Sequence, residues 1–90
     1  MSVKIIIPSF LQHLTNNRES VEVKGSSLGE CLTNLTGLFP DVEPALFTKN
    51  GKLHDEVGLF VNGRDTLGEG LTRPVEDGDD VVLVYILGGG

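Results

Sequence analysis

Apolar positions fall into short β-branched runs interrupted by one helical stripe. Val3-Lys4-Ile5-Ile6-Ile7 is rich in β-branched residues and stops at Pro8, which predicts a first strand. Ser9 to Glu19 is polar and turn-rich, with Asn16-Asn17 as the bend. Val21-Glu22-Val23-Lys24 alternates strictly, so a second strand with one buried face follows, paired with the first as an antiparallel hairpin. The period then changes. Leu28, Cys31, Leu32, Leu35, Leu38 and Phe39 recur at spacings of three and four and form one helical stripe. Ser27 caps this helix, Glu30 completes a capping box, and Pro40 ends it.

Beyond Pro40 the pattern is weaker. Pro44-Ala45-Leu46-Phe47 predicts one helical turn, and Asn50-Gly51 a bend. Leu59-Phe60-Val61 predicts a third strand closed by the hairpin signal Asn62-Gly63, with a short return strand over Asp65 to Leu67. Leu71 predicts one more short paired segment. Pro74 to Asp80 reads as a loop built around Asp77-Gly78-Asp79, and Val81 to about Leu87 as a last, almost wholly apolar strand. Such a strand is either buried on both faces or carries an apolar outer face. Strands clustered around one helix imply an α+β fold, because the strands are the only partner available to the helix stripe.

Composition narrows the function classes. Ninety residues predict one domain over 1–90, with residues 88–90 as a flexible glycine tail. The seven basic residues are scattered among thirteen acids and the net charge is −6, which argues against nucleic acid and leaves a basic protein surface as a suitable partner. No apolar run is long enough for a membrane helix, and the N-terminus lacks the pattern of a signal peptide. The single cysteine excludes an internal disulfide and points to a cytoplasmic location.

Catalytic chemistry is hard to find. His13 and His54 lie far apart, read as exposed loop residues, and lack metal-ligand spacing to a cysteine or to each other. Cys31 lies on the helix stripe and reads as a small core hydrophobe. The acids at Asp77, Asp79 and Asp80 fit a turn rather than a calcium loop. No glycine-rich phosphate loop sits between a strand and a helix. The expectation is therefore a protein that is not an enzyme, with no metal site and no cofactor of its own. One unusual reactive group remains, the Gly90 carboxylate. Without Cβ atoms, Gly88 and Gly89 can thread a narrow channel and give it access.

The chain resembles the ThiS/MoaD family of ubiquitin-like sulfur carriers. The residues that carry the resemblance are Phe60-Val61-Asn62-Gly63, Asp77-Gly78-Asp79 with Val81 just after, and the terminal Gly89-Gly90. Pro8, Ser27-Leu28-Gly29 and Gly51-Lys52-Leu53-His54 further resemble the CysO type. The extra glycine, Gly88, departs from the usual pair. The resemblance implies a β-grasp fold, with a mixed sheet of about four to five strands and one main helix across it. It implies that an ATP-dependent adenylyltransferase of the ubiquitin-activating type adenylates Gly90. A sulfur donor then displaces AMP to leave a thiocarboxylate, and the sulfur passes to an acceptor biosynthetic enzyme. A PLP-dependent enzyme making cysteine or homocysteine on the way to methionine heads the acceptors. A metalloprotease that trims the tail or releases product belongs to the same partner set. On this reading Val82, Val84 and Ile86 are candidates for docking the activating enzyme. The small subunit of molybdopterin synthase, the thiamin-thiazole carrier, a protein modifier and a plain interaction module are the alternatives.

Overall fold

A computed structural model describes residues 2–66 and 70–85. Five strands form one sheet: β1 (Ser2–Ile6), β2 (Ser20–Lys24), β3 (Val57–Val61), β4 (Arg64–Asp65) and β5 (Asp80–Tyr85). Their order is β2-β1-β5-β3-β4. β1 and β2 form the expected antiparallel hairpin, and β5 inserts beside β1 in parallel while pairing antiparallel with β3. This is the mixed five-stranded sheet of a ubiquitin-like β-grasp, with helix α1 (Leu28–Leu38) packed across one face.

The alternation in each strand decides what α1 meets. Val3 and Ile5 of β1, Val21 and Val23 of β2, Leu59 and Val61 of β3, and Val81 and Leu83 of β5 are all buried with Leu28, Cys31, Leu32 and Leu35 of α1. α1 begins where the sequence places its cap. The Glu30 backbone N–H donates to Ser27 Oγ at 3.2 Å, and the Glu30 carboxylate accepts from the Ser26 N–H at 3.0 Å. The box therefore closes one residue upstream of its usual partner on the return bond. Gly25 allows β2 and α1 to approach this closely. A Cβ there would stand 2.7 Å from Cys31 Sγ and 2.9 Å from the Cys31 backbone nitrogen.

One member of the predicted stripe is not in the core. Leu38 is 59% exposed. It shares a helix line with Cys31, two turns earlier, but the last turn of α1 lies over the β2 edge, where Leu38 lines an open groove with Glu22, Val23 and Lys24. Thr36 is buried in its place, its hydroxyl donating to the Thr33 carbonyl at 2.9 Å. Phe39 is half-buried, and Pro40, just past the end of α1, opens a 3₁₀ turn.

The turn residues fix the parallel pairing. Asp77 Oδ1 accepts from the Ser2 N–H at 2.8 Å, the Gly78 N–H donates to the Ser2 carbonyl at 2.8 Å, and the Lys4 N–H donates to the Asp79 carbonyl at 3.0 Å. Gly78 sits at φ +87°, a conformation natural only to glycine. The β3–β4 hairpin uses Asn62 at φ 52° and Gly63 at φ 83°, as its sequence predicts. Asn62 also donates to Asp79 Oδ1 at 3.0 Å and accepts from the Asp80 N–H at 2.9 Å, so both turns at this end of the sheet form one network. Leu71 lies in a 3₁₀ turn, Gly70–Thr72, and not in a paired segment. A Cβ at Gly29 would stand 3.2 Å from both the Leu71 Cβ and the Leu71 carbonyl oxygen, a tight contact.

Candidate functional site

The face of the sheet opposite α1 is uncovered among the described residues, and cross-strand pairing sorts its side chains into rows. Ser20 pairs with Ile6, Ile6 with Val82, Val82 with Phe60, and Phe60 with Asp65. Paired residues share a face, so this is a single row across all five strands. Its centre, Ile6-Val82-Phe60, is apolar and half-buried. Beside it, Val84 pairs with Gly58, which has no side chain of its own. On the other side Glu22, Lys4 and Asp80 form a charged row. The open face is thus divided into an apolar half toward the C-terminal end of β5 and a charged half toward its start.

This geometry separates the two readings of the apolar last strand. Val81 and Leu83 are core; Val82 and Val84 form an apolar outer surface. Ile86, the third candidate, lies outside the described residues, as do Leu87, Gly88, Gly89 and Gly90. Sequence reasoning missed Ile6 and Phe60. Each sits inside an unbroken apolar run, Ile5-Ile6-Ile7 and Leu59-Phe60-Val61, where alternation leaves no mark.

A second cluster holds the far end of β5. Helix α2 (Glu43–Leu46) is one turn long, and the carbonyls of so short a helix need donors from outside it. All four have one. The Phe47 N–H donates to Glu43 O at 2.8 Å, and the His54 N–H to Leu46 O at 2.9 Å. His54 Nε2 donates to Pro44 O at 3.0 Å, and the Tyr85 hydroxyl donates to Ala45 O. The Tyr85 ring also meets Phe10 edge-on, with centroids 4.8 Å apart and planes at 86°. Burial, helped by the nearby Glu56 carboxylate, pushes the Tyr85 phenol above its ordinary range and keeps it a donor. His54 is accordingly half-buried and structural, not the exposed loop residue its sequence neighbourhood suggests; His13 is exposed as expected. The Pro44 turn itself forms where predicted.

The other candidate groups offer no reactive constellation. Cys31 is fully buried, and burial together with the Glu30 carboxylate raises its thiol pKa, which suppresses the thiolate. Asp79 lies below the usual carboxylate range because the Glu76 N–H and the Asn62 side chain hydrogen-bond to it. It is held as a turn acceptor. No group of three or more His, Cys, Asp or Glu side chains converges among the described residues. No helix among them is long and apolar enough to cross a membrane.

Comparison with known proteins agrees with the fold and its elements. The model of the ThiS family matches residues 5–90. The sulfur carrier protein CysO of Mycobacterium tuberculosis is 31% identical over 93 residues, with all of both chains covered. A crystal structure of the BexX/CysO complex of Amycolatopsis orientalis superposes with a TM-score of 0.85 at 30% identity, covering 98% of this chain and 99% of that one. SAMP1 of Haloferax volcanii, at 24% identity and full coverage of both chains, has the same fold with a TM-score of 0.85. The chain belongs to the ThiS family, as a CysO-like, ubiquitin-like sulfur carrier and not a catalyst.

Proposed function

We propose that Gly90 is the group this carrier loads and that the apolar row Ile6-Val82-Phe60, with Val84, docks the enzyme that loads it. The carboxylate is a poor electrophile, so it first attacks the α-phosphorus of ATP; pyrophosphate leaves and an acyl-adenylate forms. A sulfur nucleophile then attacks the acyl carbon, AMP leaves, and a thiocarboxylate remains. The thiocarboxylate sulfur displaces the activating group of a serine or homoserine derivative on a PLP enzyme, and hydrolysis of the resulting carrier–product bond frees the product and returns the Gly90 carboxylate. Cysteine is the acceptor product favoured by the likeness to CysO of M. tuberculosis. That the A. orientalis relative was crystallised with BexX supports a carrier that works by docking.

The observation that carries this reading is the apolar row, on a face left uncovered among the described residues, of the strand that leads into the glycine tail. Apolar patches with a polar border are the usual form of a protein interface. Here Ser20, Asp65 and the Glu22-Lys4-Asp80 row provide that border. The tail supplies reach, and the partner supplies the catalytic groups.

Intact mass after incubation with ATP, the cognate activating enzyme and a sulfide source tests the proposal. An oxygen-to-sulfur increase that maps to Gly90, and is lost on deleting Gly90 or extending the chain by one residue, is the expected result. An unchanged mass with an enzyme that activates its other substrates would refute it. Gly-Gly remnants on lysines of other proteins would instead identify a modifier.

A further inference from the structure

β5 is gripped unequally along its length. Val81 and Val82 are flanked by β1 and β3, and Asp80 pairs with β1; among the described residues, β1 pairs with β5 no further than Ile6. Leu83, Val84 and Tyr85 keep only their β3 partners Leu59, Gly58 and Val57. After Ile6 the chain leaves the sheet at Pro8 and enters a 3₁₀ turn, Ser9–Leu14. That turn carries Phe10, which remains 50% exposed although its ring meets Tyr85. A strand end paired on one side frays readily. The side chain of Tyr85 replaces the missing support from two directions, through Phe10 on the β1 side and through the Ala45 carbonyl of α2.

We propose that Tyr85 is a positioning residue: with its hydroxyl on the Ala45 carbonyl and its ring on Phe10, it fixes the point from which the C-terminal segment starts. The inference rests on the reading of Gly90 as the loaded group. Five residues follow Tyr85, so an extended tail spans at most about 18 Å from this anchor. That distance must match the separation between the partner's docking surface and its nucleotide. Fraying back to Leu83 would lengthen the tether to seven residues and let its base swing, which lowers the fraction of docked complexes with the carboxylate in place. Docking through Val82 lies upstream of the anchor and is untouched. Tyr85 therefore acts on turnover and not on encounter.

Tyr85→Phe removes the hydroxyl and keeps the ring contact; Phe10→Ala removes the ring contact and keeps the hydroxyl. In each variant, amide exchange at Val84, whose N–H faces β3, should speed up about two- to tenfold, the range expected for losing one such interaction, while exchange at Leu35 is unchanged. In ATP–pyrophosphate exchange with the cognate activating enzyme, kcat should fall about two- to tenfold, with KM for the carrier within about twofold of wild type. Unchanged exchange at Val84 overturns the anchor. Unchanged kcat, or a kcat loss matched by faster exchange at Leu35, overturns the positioning role. If the wild-type chain is not activated at all, the loading proposal itself fails, while the amide exchange still decides whether the anchor exists.

Discussion

Val81 and Val82 are chemically identical neighbours on β5, and the register assigns them opposite tasks. Val81 lies in the core row Val21-Ile5-Val81-Val61 and is fully buried. Val82 lies in the open row between Ile6 and Phe60. Val81→Ala deletes two buried methyl groups and leaves a cavity beneath α1. At roughly 0.5–1.5 kcal/mol per group the cost is about 2 kcal/mol, or roughly 8–16 °C in melting temperature for a domain of this size. Val82→Ala removes a side chain that is only partly buried, and should cost less, about 1 kcal/mol.

Docking reverses the order. Fully burying a valine contributes about 1.5–3 kcal/mol, and at most about a third of that is still available at Val82 when a partner covers the row. Val82→Ala should therefore weaken docking by about 0.5–1 kcal/mol and raise KM for the carrier about two- to fivefold. Val82→Asp adds an unpaired carboxylate to the contact, two residues along the same face from Asp80, and should raise KM roughly a hundredfold while leaving a folded protein. Thermal unfolding and ATP–pyrophosphate exchange on the three variants give both readings. A folded Val82→Asp variant with wild-type KM would remove the open face from the mechanism. Equal melting temperatures for Val81→Ala and Val82→Ala would refute the register argument itself.

Two glycines should respond oppositely to the same change. Gly25→Ala drives a Cβ to 2.9 Å from the Cys31 backbone nitrogen, which only a shift of α1 can relieve, so a loss of about 1–3 kcal/mol is expected in denaturant titration. Gly37→Ala meets nothing within 4 Å on an exposed helix position and should stabilise by about 0.5–1 kcal/mol in the same titration. Asp79 gives a pH signature, because its folded-state pKa is lowered by the Glu76 N–H and the Asn62 side chain. Its contribution is present above the unfolded-state value near 3.9 and is lost as pH falls through the lower folded value. The melting-temperature gap between wild type and Asp79→Ala should thus be full at neutral pH and close progressively in acid below about pH 5; a gap that widens in acid would contradict the hydrogen-bond assignment.

What the sequence disclosed, it disclosed through local signals. The Ser27 cap, the stripe through Leu35, the Asn62-Gly63 hairpin and the Asp77-Gly78-Asp79 turn each depend on residues within a few positions of one another, and each stands where predicted. The errors are of another kind. Leu38 continues the helical period, but a period says which residues share a line and not where the sheet beneath them ends. Ile6 and Phe60 join Val82 only through pairing between distant strands. His54 and Tyr85 close the carbonyls of α2 from 10 and 40 residues away, a relation with no trace in either neighbourhood.

The open face and the anchor together suggest why a carrier with no catalytic groups in its described fold needs a folded body. A free glycine peptide carries the same carboxylate but presents it from a wide range of positions. The body narrows that range in two steps that fail separately. The apolar row sets where the partner sits, so its defects appear in KM. The Tyr85 anchor sets where the tail begins relative to that contact, so its defects appear in kcat. A double variant, Val82→Ala with Tyr85→Phe, discriminates this arrangement from a single extended interface. Independent steps predict that the losses in KM and kcat combine additively in free energy. Coupling beyond about 0.5 kcal/mol would mean that Tyr85 belongs to the docking surface, and the division of roles between strand face and strand end would have to be abandoned.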